Sequence, residues 1–423
     1  MSAALTPATA AEVVEAVAQA VADEAPLEIL GHGTKRGLGR PLQAARQLDL
    51  SALAGITLYE PNELVLTCRA GTPMAAIEAA LAEHNQQLAF EPPDLAPLYG
   101  GAVGAGTIGG VLSANLAGPR RLKAGAARDH FLGVKAVSGR GEAFQAGGRV
   151  VKNVTGYDLC KLLAGAHGTL AVLTDVTVKV LPAPEKSRTV LIYGLADAAA
   201  VAALARAVNS PHEVSGAAHL PARVASRSAV DFVAGSGLAI TAIRVEGPGP
   251  SVEHRCTALR RELADAGPTE ELHSLRSAHL WREVRDVAHL LPDSSQLLWR
   301  LSVPPAAGAQ VVQEISKNIS TLPMGGGRGR GNDALAPDHY YDWSGGLIWL
   351  ALPPADDARA TAVRAAVAHQ GGHATLLHAP AALRLAVPVF EPQPESLAVL
   401  SRRVKESFDP RRILNPGRMA ADL

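Results

Sequence analysis

The positions best suited to chemistry lie in two glycine-rich segments. Gly31-His-Gly-Thr-Lys-Arg-Gly-Leu-Gly39 packs four glycines into nine residues, directly after an apolar stretch, with Thr34, Lys35 and Arg36 between them. Thr107-Ile-Gly-Gly-Val-Leu-Ser-Ala-Asn115 comes later in the chain, then Gly118-Pro-Arg-Arg121, Gly125 and Arg128-Asp129. Runs this dense in glycine and small residues build no core of their own. They suit a backbone that must approach an anion closely, with N–H groups aimed at it and no Cβ in the way. In the first segment a hydroxyl and positive charge join the backbone donors, the combination that a pyrophosphate requires. Together with a distant Asn415-Pro-Gly417, the pattern implies a bound dinucleotide rather than a bond-making constellation.

One pattern misleads. Gly104-Ala-Gly106-Thr-Ile-Gly109 spells GxGxxG, and Asp129 lies twenty positions further on. A Rossmann site needs a hydrophobic strand immediately before the glycines and a long helix immediately after. Here the loop Glu91-Pro-Pro-Asp-Leu-Ala-Pro97 precedes them, and Gly118-Pro119 would interrupt the required helix. The Rossmann reading is rejected.

The elements that must position these loops are legible in outline. Residues 9–23 read as a surface helix, leading into a strand at Leu27–Leu30 that delivers the first loop. Strands are expected at Ile56–Glu60 and Leu64–Arg69, then a helix Pro73–His84 with proline in its first turn. Leu132–Ser138 and Glu142–Ala146 form a hairpin closed by Gly139-Arg-Gly141. A short helix Tyr157–Leu163 and a β-branched strand Thr169–Leu181 end at Pro182. Beyond Pro184, units of strand, helix and strand recur: Val190–Tyr193, Asp197–Val208 and Val214–His219; then Leu238–Glu246, Ser251–Ala266 and Glu271–Ser274; then Leu297–Val303, Ala309–Ser320 and strands around Leu347–Leu352. Repeats of this length imply antiparallel sheets with helices packed on them. The helix Pro394–Phe408 leads into the tail. The fold class is therefore α+β, with domains at 1–184 and 185–395 and a C-terminal segment 396–423 returning to the first.

Composition excludes several classes. The 423 residues exceed one typical core. Formal net charge is zero, no polybasic run occurs and aromatics are 4%, which argues against a nucleic-acid groove or an anionic membrane surface. Cys68, Cys160 and Cys256 are too scattered for a zinc or iron–sulfur site, so a reduced, cytoplasmic setting is expected. The amino end has neither a basic n-region nor a long apolar stretch, so no signal peptide or anchor is read. His369-Gln-Gly-Gly-His373 and His378 carry metal-ligand residue types, but Gly371-Gly372 breaks any helix through them; a helix end followed by a strand is the reading adopted, and no metal is expected. Trp343 and Trp349 read as buried aromatics. Tyr340-Tyr341 could line a pocket or an interface. Arg328 and Arg330, in a glycine-rich loop, read as solvated, and Lys152-Asn153 as either shaping the turn at Gly156 or doing chemistry.

Six segments carry a resemblance. Gly31-His-Gly-Thr34, Thr107-Ile-Gly-Gly110, Gly118-Pro-Arg-Arg121, Arg128-Asp-His-Phe-Leu-Gly-Val134, Gly147-Gly-Arg-Val-Val-Lys-Asn-Val-Thr-Gly-Tyr-Asp158 and Gly168-Thr-Leu-Ala-Val172 occur in this order. They resemble the FAD-binding domain of the vanillyl-alcohol oxidase superfamily (the p-cresol methylhydroxylase, or PCMH, type), and Phe408-Asp-Pro-Arg-Arg-Ile-Leu-Asn-Pro-Gly417 resembles its C-terminal signature. Asp342-Trp-Ser-Gly-Gly346 and the Gly118–Arg121 variant are similar to the accessory FAD-binding subunits of bacterial glycolate oxidases. The resemblance implies a two-subdomain FAD-binding domain and a cap of ferredoxin-like β-α-β units. It implies that Gly31, His32, Gly33, Thr34, Lys35, Arg36 and Gly37 wrap the pyrophosphate, and that Thr107, Ile108, Gly109 and Gly110 form a second cradle. Ser113 and Asn115 would bond phosphate or ribitol oxygens, Gly168 to Val172 would meet the adenine end, and Asn415 would come near the isoalloxazine. His32 is a conceivable covalent attachment point; loop histidines are ordinarily solvated, and non-covalent FAD is expected.

The catalytic relatives carry a histidine-rich Gly-Asp-Gly-Asn-Leu-His type segment that this chain lacks, so no catalytic residue is assigned. The resemblance thus implies an accessory subunit of a complex oxidising glycolate to glyoxylate. Its partners would be a homologous catalytic FAD subunit and an iron–sulfur subunit passing electrons to membrane quinone. Nucleic acid has no place in it, and membrane contact at the inner membrane would be indirect. The alternatives are a self-sufficient FAD-dependent 2-hydroxy-acid dehydrogenase acting on glycolate or D-lactate, and a non-redox scaffold.

Overall fold

A computed structural model describes residues 4–150, 156–291, 296–320 and 337–423. The expectations for Lys152-Asn153 and for Arg328 and Arg330 concern residues outside these. The chain forms two compact units, one of Met1–Gly118, Gly125–Ala183 and Pro392–Leu423, the other of Pro119–Ala124 and Pro184–Glu391. The short segment Pro119–Ala124, expected within the first domain, belongs to the second unit.

In the first unit the leading helix, Ala10–Ala22, starts where the Thr9 side chain accepts the Glu12 N–H at 3.2 Å, the usual satisfaction of an orphan donor in a first turn. Val13, Val17 and Ala20 recur at helical spacing and are buried. They pack with Leu27, Leu48, Val137, Val172 and Leu414. Two principal sheets build the unit, beside a short antiparallel pair of Gln86–Gln87 with Leu181–Pro182. The smaller is parallel, Ala4–Leu5, Arg46–Asp49 and Leu27–Leu30, with Arg46–Asp49 in the middle. The larger is antiparallel, in the order Ile56–Glu60, Val65–Arg69, Ala171–Lys179, Phe131–Ser138, Ala143–Gly147. Its two inner strands at 131–138 and 171–179 are buried almost throughout. That is why they read as apolar runs and not as alternation.

The second unit is one eight-stranded sheet in which every described pairing is antiparallel. One half holds Lys186–Tyr193, Val214–Leu220, Ile240–Gly247 and Thr269–Leu272; the other holds Leu297–Ser302, Asp338–Asp342, Leu347–Leu352 and His373–His378. Helices Asp197–Val208 and Gly249–Glu262 pack on the first half through Ala203, Leu204, Val252 and Cys256. Helices Gly308–Ser320 and Ala360–Ala368 cover the second through Val311, Ile315, Val363 and Val367. The halves join at a single register pair, His219 with Tyr341.

No parallel βαβ unit surrounds Gly104–Gly109. The helix after these glycines is only Ile108–Ser113, and the Asp129 carboxylate accepts the Ala126 N–H at 2.8 Å, serving its own helix. Among the described residues no helix is long and apolar enough to cross a membrane.

Candidate functional site

The strand Leu27–Leu30 ends in a loop whose curvature is fixed from behind. Glu28, 7% exposed, accepts Arg36 Nε at 3.0 Å, Gln47 Nε2 at 3.2 Å and Arg418 Nη2 at 3.4 Å. Arg418 Nη1 also donates to the carbonyls of Arg36, Leu38 and Arg40 at 3.1, 3.3 and 3.4 Å. These contacts consume the loop's outer carbonyls. Its inner N–H groups are left over: those of His32, Gly33, Thr34 and Lys35 have no protein acceptor among the described residues. Four successive donors without acceptors are what an anion-binding backbone presents.

The second loop faces the first. Thr107 caps Ile108–Ser113, its Oγ1 accepting the Gly110 N–H at 3.4 Å. A Cβ on Gly31 would stand 2.7 Å from that Oγ1, so only glycine lets the two loops close. Gly106 and Gly110 leave room for the Lys35 amine, which would lie 3.3 and 3.4 Å from their added Cβ atoms. Lys35 Nζ donates only to Thr34 Oγ1, at 3.4 Å. Burial pushes its amine down to about 8, against the pull of the Asp94 carboxylate. Arg36 is neutralised by Glu28, so Lys35 is the uncommitted cation of this cleft among the described residues.

The third wall comes from the chain's other end. Asn415 Oδ1 accepts the Ile29 N–H at 2.8 Å, and its Nδ2 donates to the His167 carbonyl at 2.9 Å. The His167 N–H in turn donates to Ser113 O at 2.8 Å. Burial, then the Arg418 charge, pushes the His167 imidazole down to about 4, so it is neutral at physiological pH. Gly168, at φ +69°, would bring a Cβ within 2.7 Å of Asn415 Nδ2.

Of the residues singled out in the sequence, Gly31, His32, Gly33, Thr34, Lys35, Arg36, Thr107, Gly110, Ser113 and Asn415 line this cleft, and Gly168 and Gly109 line its continuation. Others stand elsewhere or have their backbone donors already engaged. The Ile108 and Gly109 N–H groups are taken by the carbonyls of Thr72 and Ala70, at 3.1 and 2.9 Å. Val172 is wholly buried in the core. Gly37 makes room for the Tyr99 ring, which an added Cβ would overlap. Asn115 Oδ1 accepts the Arg128 N–H at 3.0 Å. His32 Nδ1 donates to Ala105 O at 2.8 Å. Asn415 has both side-chain polar atoms engaged by protein, so it positions the walls. Sequence reasoning missed Glu28, His167 and Arg418. Nothing in their spacing marks them, because each works through a partner distant in the chain.

The three histidines weighed as ligands are apart in role. His369 caps a helix and meets Glu314 at 2.9 Å, His373 opens a strand, and His378 donates to Gln296 O at 2.9 Å. The cysteines are buried thiols, and burial pushes them up to about 12, 11 and 12 for Cys68, Cys160 and Cys256.

A cleft with backbone donors, one cation and glycine walls, carried on a PCMH-type fold, defines a flavin-dinucleotide-binding protein. The FAD binding domain family matches residues 1–147. The glycolate oxidase subunit GlcE of Escherichia coli (strain K12) is 33% identical over 411 residues, 97% of this chain and 97% of that one. The glycolate oxidase subunit GlcD of Bacillus subtilis (strain 168) is 27% identical, covering 86% of this chain and 77% of that one. Two solved structures share the fold. A 4-ethylphenol oxidase from Gulosibacter chungangensis has a TM-score of 0.70 at 15% identity, covering 99% of this chain and 89% of that one. An alkyldihydroxyacetonephosphate synthase has a TM-score of 0.68 at 16% identity, covering 98% and 75%. The chain belongs to the vanillyl-alcohol oxidase type of FAD-binding oxidoreductases, in the family of the glycolate oxidase subunit GlcE.

FAD is thus the cofactor, and the residues present fit it. The pyrophosphate is a double anion, and the 32–35 amides together with Lys35 offer it donors and a positive charge. Bound FAD supplies a ring that accepts a hydride. Of the chain's own residues, Lys35 would neutralise the pyrophosphate, while Thr107 fixes the second loop and Asn415 with Arg418 holds the cleft's shape.

Proposed function

We propose that this chain is the FAD-carrying accessory subunit of a complex that oxidises glycolate to glyoxylate. It would work beside a homologous catalytic flavoprotein subunit and an iron–sulfur subunit that carries electrons onward. The observation that carries the reading is the 33% identity to GlcE across 97% of both chains. It is supported by the second domain's sequence, which carries His369-Gln-Gly-Gly-His373 and His378 in place of the Gly-Asp-Gly-Asn-Leu-His type segment of the catalytic relatives. Electron exit obeys the same logic, since three separate buried thiols hold no cluster.

The test is anaerobic spectroscopy. Purified, FAD-loaded chain mixed with glycolate should keep its flavin absorbance, and glycolate-dependent bleaching should arise when the partner subunits are co-expressed. Full bleaching of the single chain by glycolate or D-lactate would replace this reading with that of a self-sufficient 2-hydroxy-acid dehydrogenase.

A further inference from the structure

We propose that Lys35 is an acylation site of the cofactor-free chain, where an acyl phosphate seats its phosphate on the 32–35 amides and passes its acyl group to Lys35 Nζ. The backbone N–H groups of His32, Gly33, Thr34 and Lys35 have no protein acceptor among the described residues. Such a run of donors holds a phosphate whatever molecule carries it. The amine rises from the same loop and donates only to Thr34 Oγ1, at 3.4 Å. It lies against Gly106 and Gly110 of the second loop, where an added Cβ would stand 3.3 and 3.4 Å from Nζ. An anion seat and a nucleophile therefore share one loop.

The charges around the amine leave it reactive. Arg36 is ion-paired with Glu28, and Arg418 bonds Glu28 and the carbonyls of Arg36, Leu38 and Arg40. The His167 imidazole is neutral at physiological pH. The Asp94 carboxylate accepts the Ala96 and Gly104 N–H groups at 3.0 and 2.7 Å. Its pull on the Lys35 amine is outweighed by burial, which brings the amine down to about 8. At pH 8 about half of the Lys35 amines then carry a free lone pair, against fewer than about one in a hundred for an ordinary lysine. A lysine made neutral by desolvation is the activated form that attacks carbonyl carbon.

The step balances without an oxidant or reductant. The neutral Nζ attacks the carbonyl carbon and an N–C bond forms. The C–O bond to the phosphate breaks, inorganic phosphate leaves with the electron pair, and the nitrogen's proton passes to water. Reach selects the donor. In an acyl phosphate the carbonyl is one oxygen away from the seated phosphorus, which suits an amine on the same loop. In an acyl-coenzyme A a long arm separates the thioester from the pyrophosphate. The product amide is neutral, so the charge that a pyrophosphate needs is lost. Acylation thus marks chains that lack FAD and keeps them empty, whereas bound FAD covers Lys35. The inference stands on this cleft alone and not on the substrate or the partner subunits.

The test incubates the full chain, FAD-free and FAD-saturated, with acetyl phosphate at pH 8 and reads the products by peptide mass spectrometry. The exposed Lys135 and Lys186 serve as internal references. In the FAD-free chain Lys35 should be acetylated about tenfold faster than either, and about fivefold more slowly at pH 7, following its neutral fraction. Inorganic phosphate should compete, and acetyl-coenzyme A should show no preference for Lys35. FAD should suppress the reaction. Fluorescence titration should find FAD bound about tenfold more weakly by the acetylated chain, an effect that Lys35→Gln reproduces. Circular dichroism checks that the FAD-free chain is folded; if it is not, Lys35 modification is followed at subsaturating FAD and must track the empty fraction. Lys35 reacting no faster than Lys135 and Lys186, or equal preference for it with acetyl-coenzyme A, would overturn the proposal. Preferential acetylation that FAD leaves unchanged would uphold the acylation site and sink the assignment of this cleft to the pyrophosphate.

Discussion

Lys35 is where a single side chain sets a measurable pH dependence. Its amine sits near 8 in the cofactor-free protein, below the free value of 10.5, because burial penalises the charge. It is therefore charged below pH 8 and increasingly neutral above. A pyrophosphate favours the charged form, so FAD binding takes up a proton at higher pH and affinity falls as pH rises through about 8, by up to about tenfold per unit. Fluorescence titration of the cofactor-free protein with FAD from pH 7 to 9.5 checks this. Lys35→Met should weaken binding about ten- to a hundredfold at pH 7, the worth of a charge-assisted hydrogen bond, and should flatten the pH profile. Gly31 tests shape instead of charge. An added Cβ would meet Thr107 Oγ1 at 2.7 Å, so Gly31→Ala must part the two loops. Its FAD affinity should fall with no change in the pH profile, which separates the two roles.

At the scale of elements, the tail matters because it ties strand, loop and cleft together. Lys405, in the helix Glu395–Phe408, is 3% exposed and donates to Asp409 Oδ2 at 2.6 Å, Thr169 O at 2.7 Å and Leu414 O at 2.9 Å. Asp409 accepts the N–H groups of Ile413 and Leu414 at 2.9 and 2.8 Å. This buried pair sets the turn that leads to Asn415. Lys405→Met leaves Asp409 buried without its counter-charge and should cost about 3–5 kcal/mol in denaturant unfolding of the protein, with FAD affinity lost alongside. The elements also separate what a sequence reveals from what it hides. Leu27–Leu30, Ile56–Glu60 and Asp197–Val208 agree residue for residue with the periodicity, since each is set by its own local pattern. Arg46–Asp49 was missed because only Leu48 of its four residues is buried, while Gln47 serves the Glu28 network. Ser274–Arg285 was missed because one of its core positions is Ser277, whose hydroxyl lies 2.8 Å from Thr189 Oγ1. The cleft shows the same division. Its glycines are visible as spacing, whereas Glu28, His167 and Arg418 act through distant partners that no local pattern marks.

Across the whole molecule the weakest join of the described sheet pairing is the single pair between the halves of the eight-stranded sheet, and a polar network reinforces it. Asp197 Oδ2 accepts Tyr341 OH at 2.7 Å and His339 Nε2 at 2.8 Å, while His219 Nε2 stands 3.4 Å from Oδ1. His219 and Tyr341 are the joining pair itself. Asp197 begins the helix Asp197–Val208, so one carboxylate binds strands of both halves to a helix packed on the first. Burial alone would raise this carboxyl, but the contacts from His219, His339 and Tyr341 prevail and hold it well below its ordinary value of 3.8. A carboxyl depressed on folding contributes stability that is fully present above about pH 4 and is lost as pH falls below it. Asp197→Asn keeps the shape but removes the charge and one acceptor, and should cost about 2 kcal/mol at pH 7. Urea unfolding of both proteins at pH 7 and pH 3 gives the check: the difference should shrink at pH 3, where the wild-type contribution is being titrated away. An equal difference at both pH values would mean that the carboxylate charge contributes nothing to the join. Packing across His219 and Tyr341 would then have to hold the halves by itself.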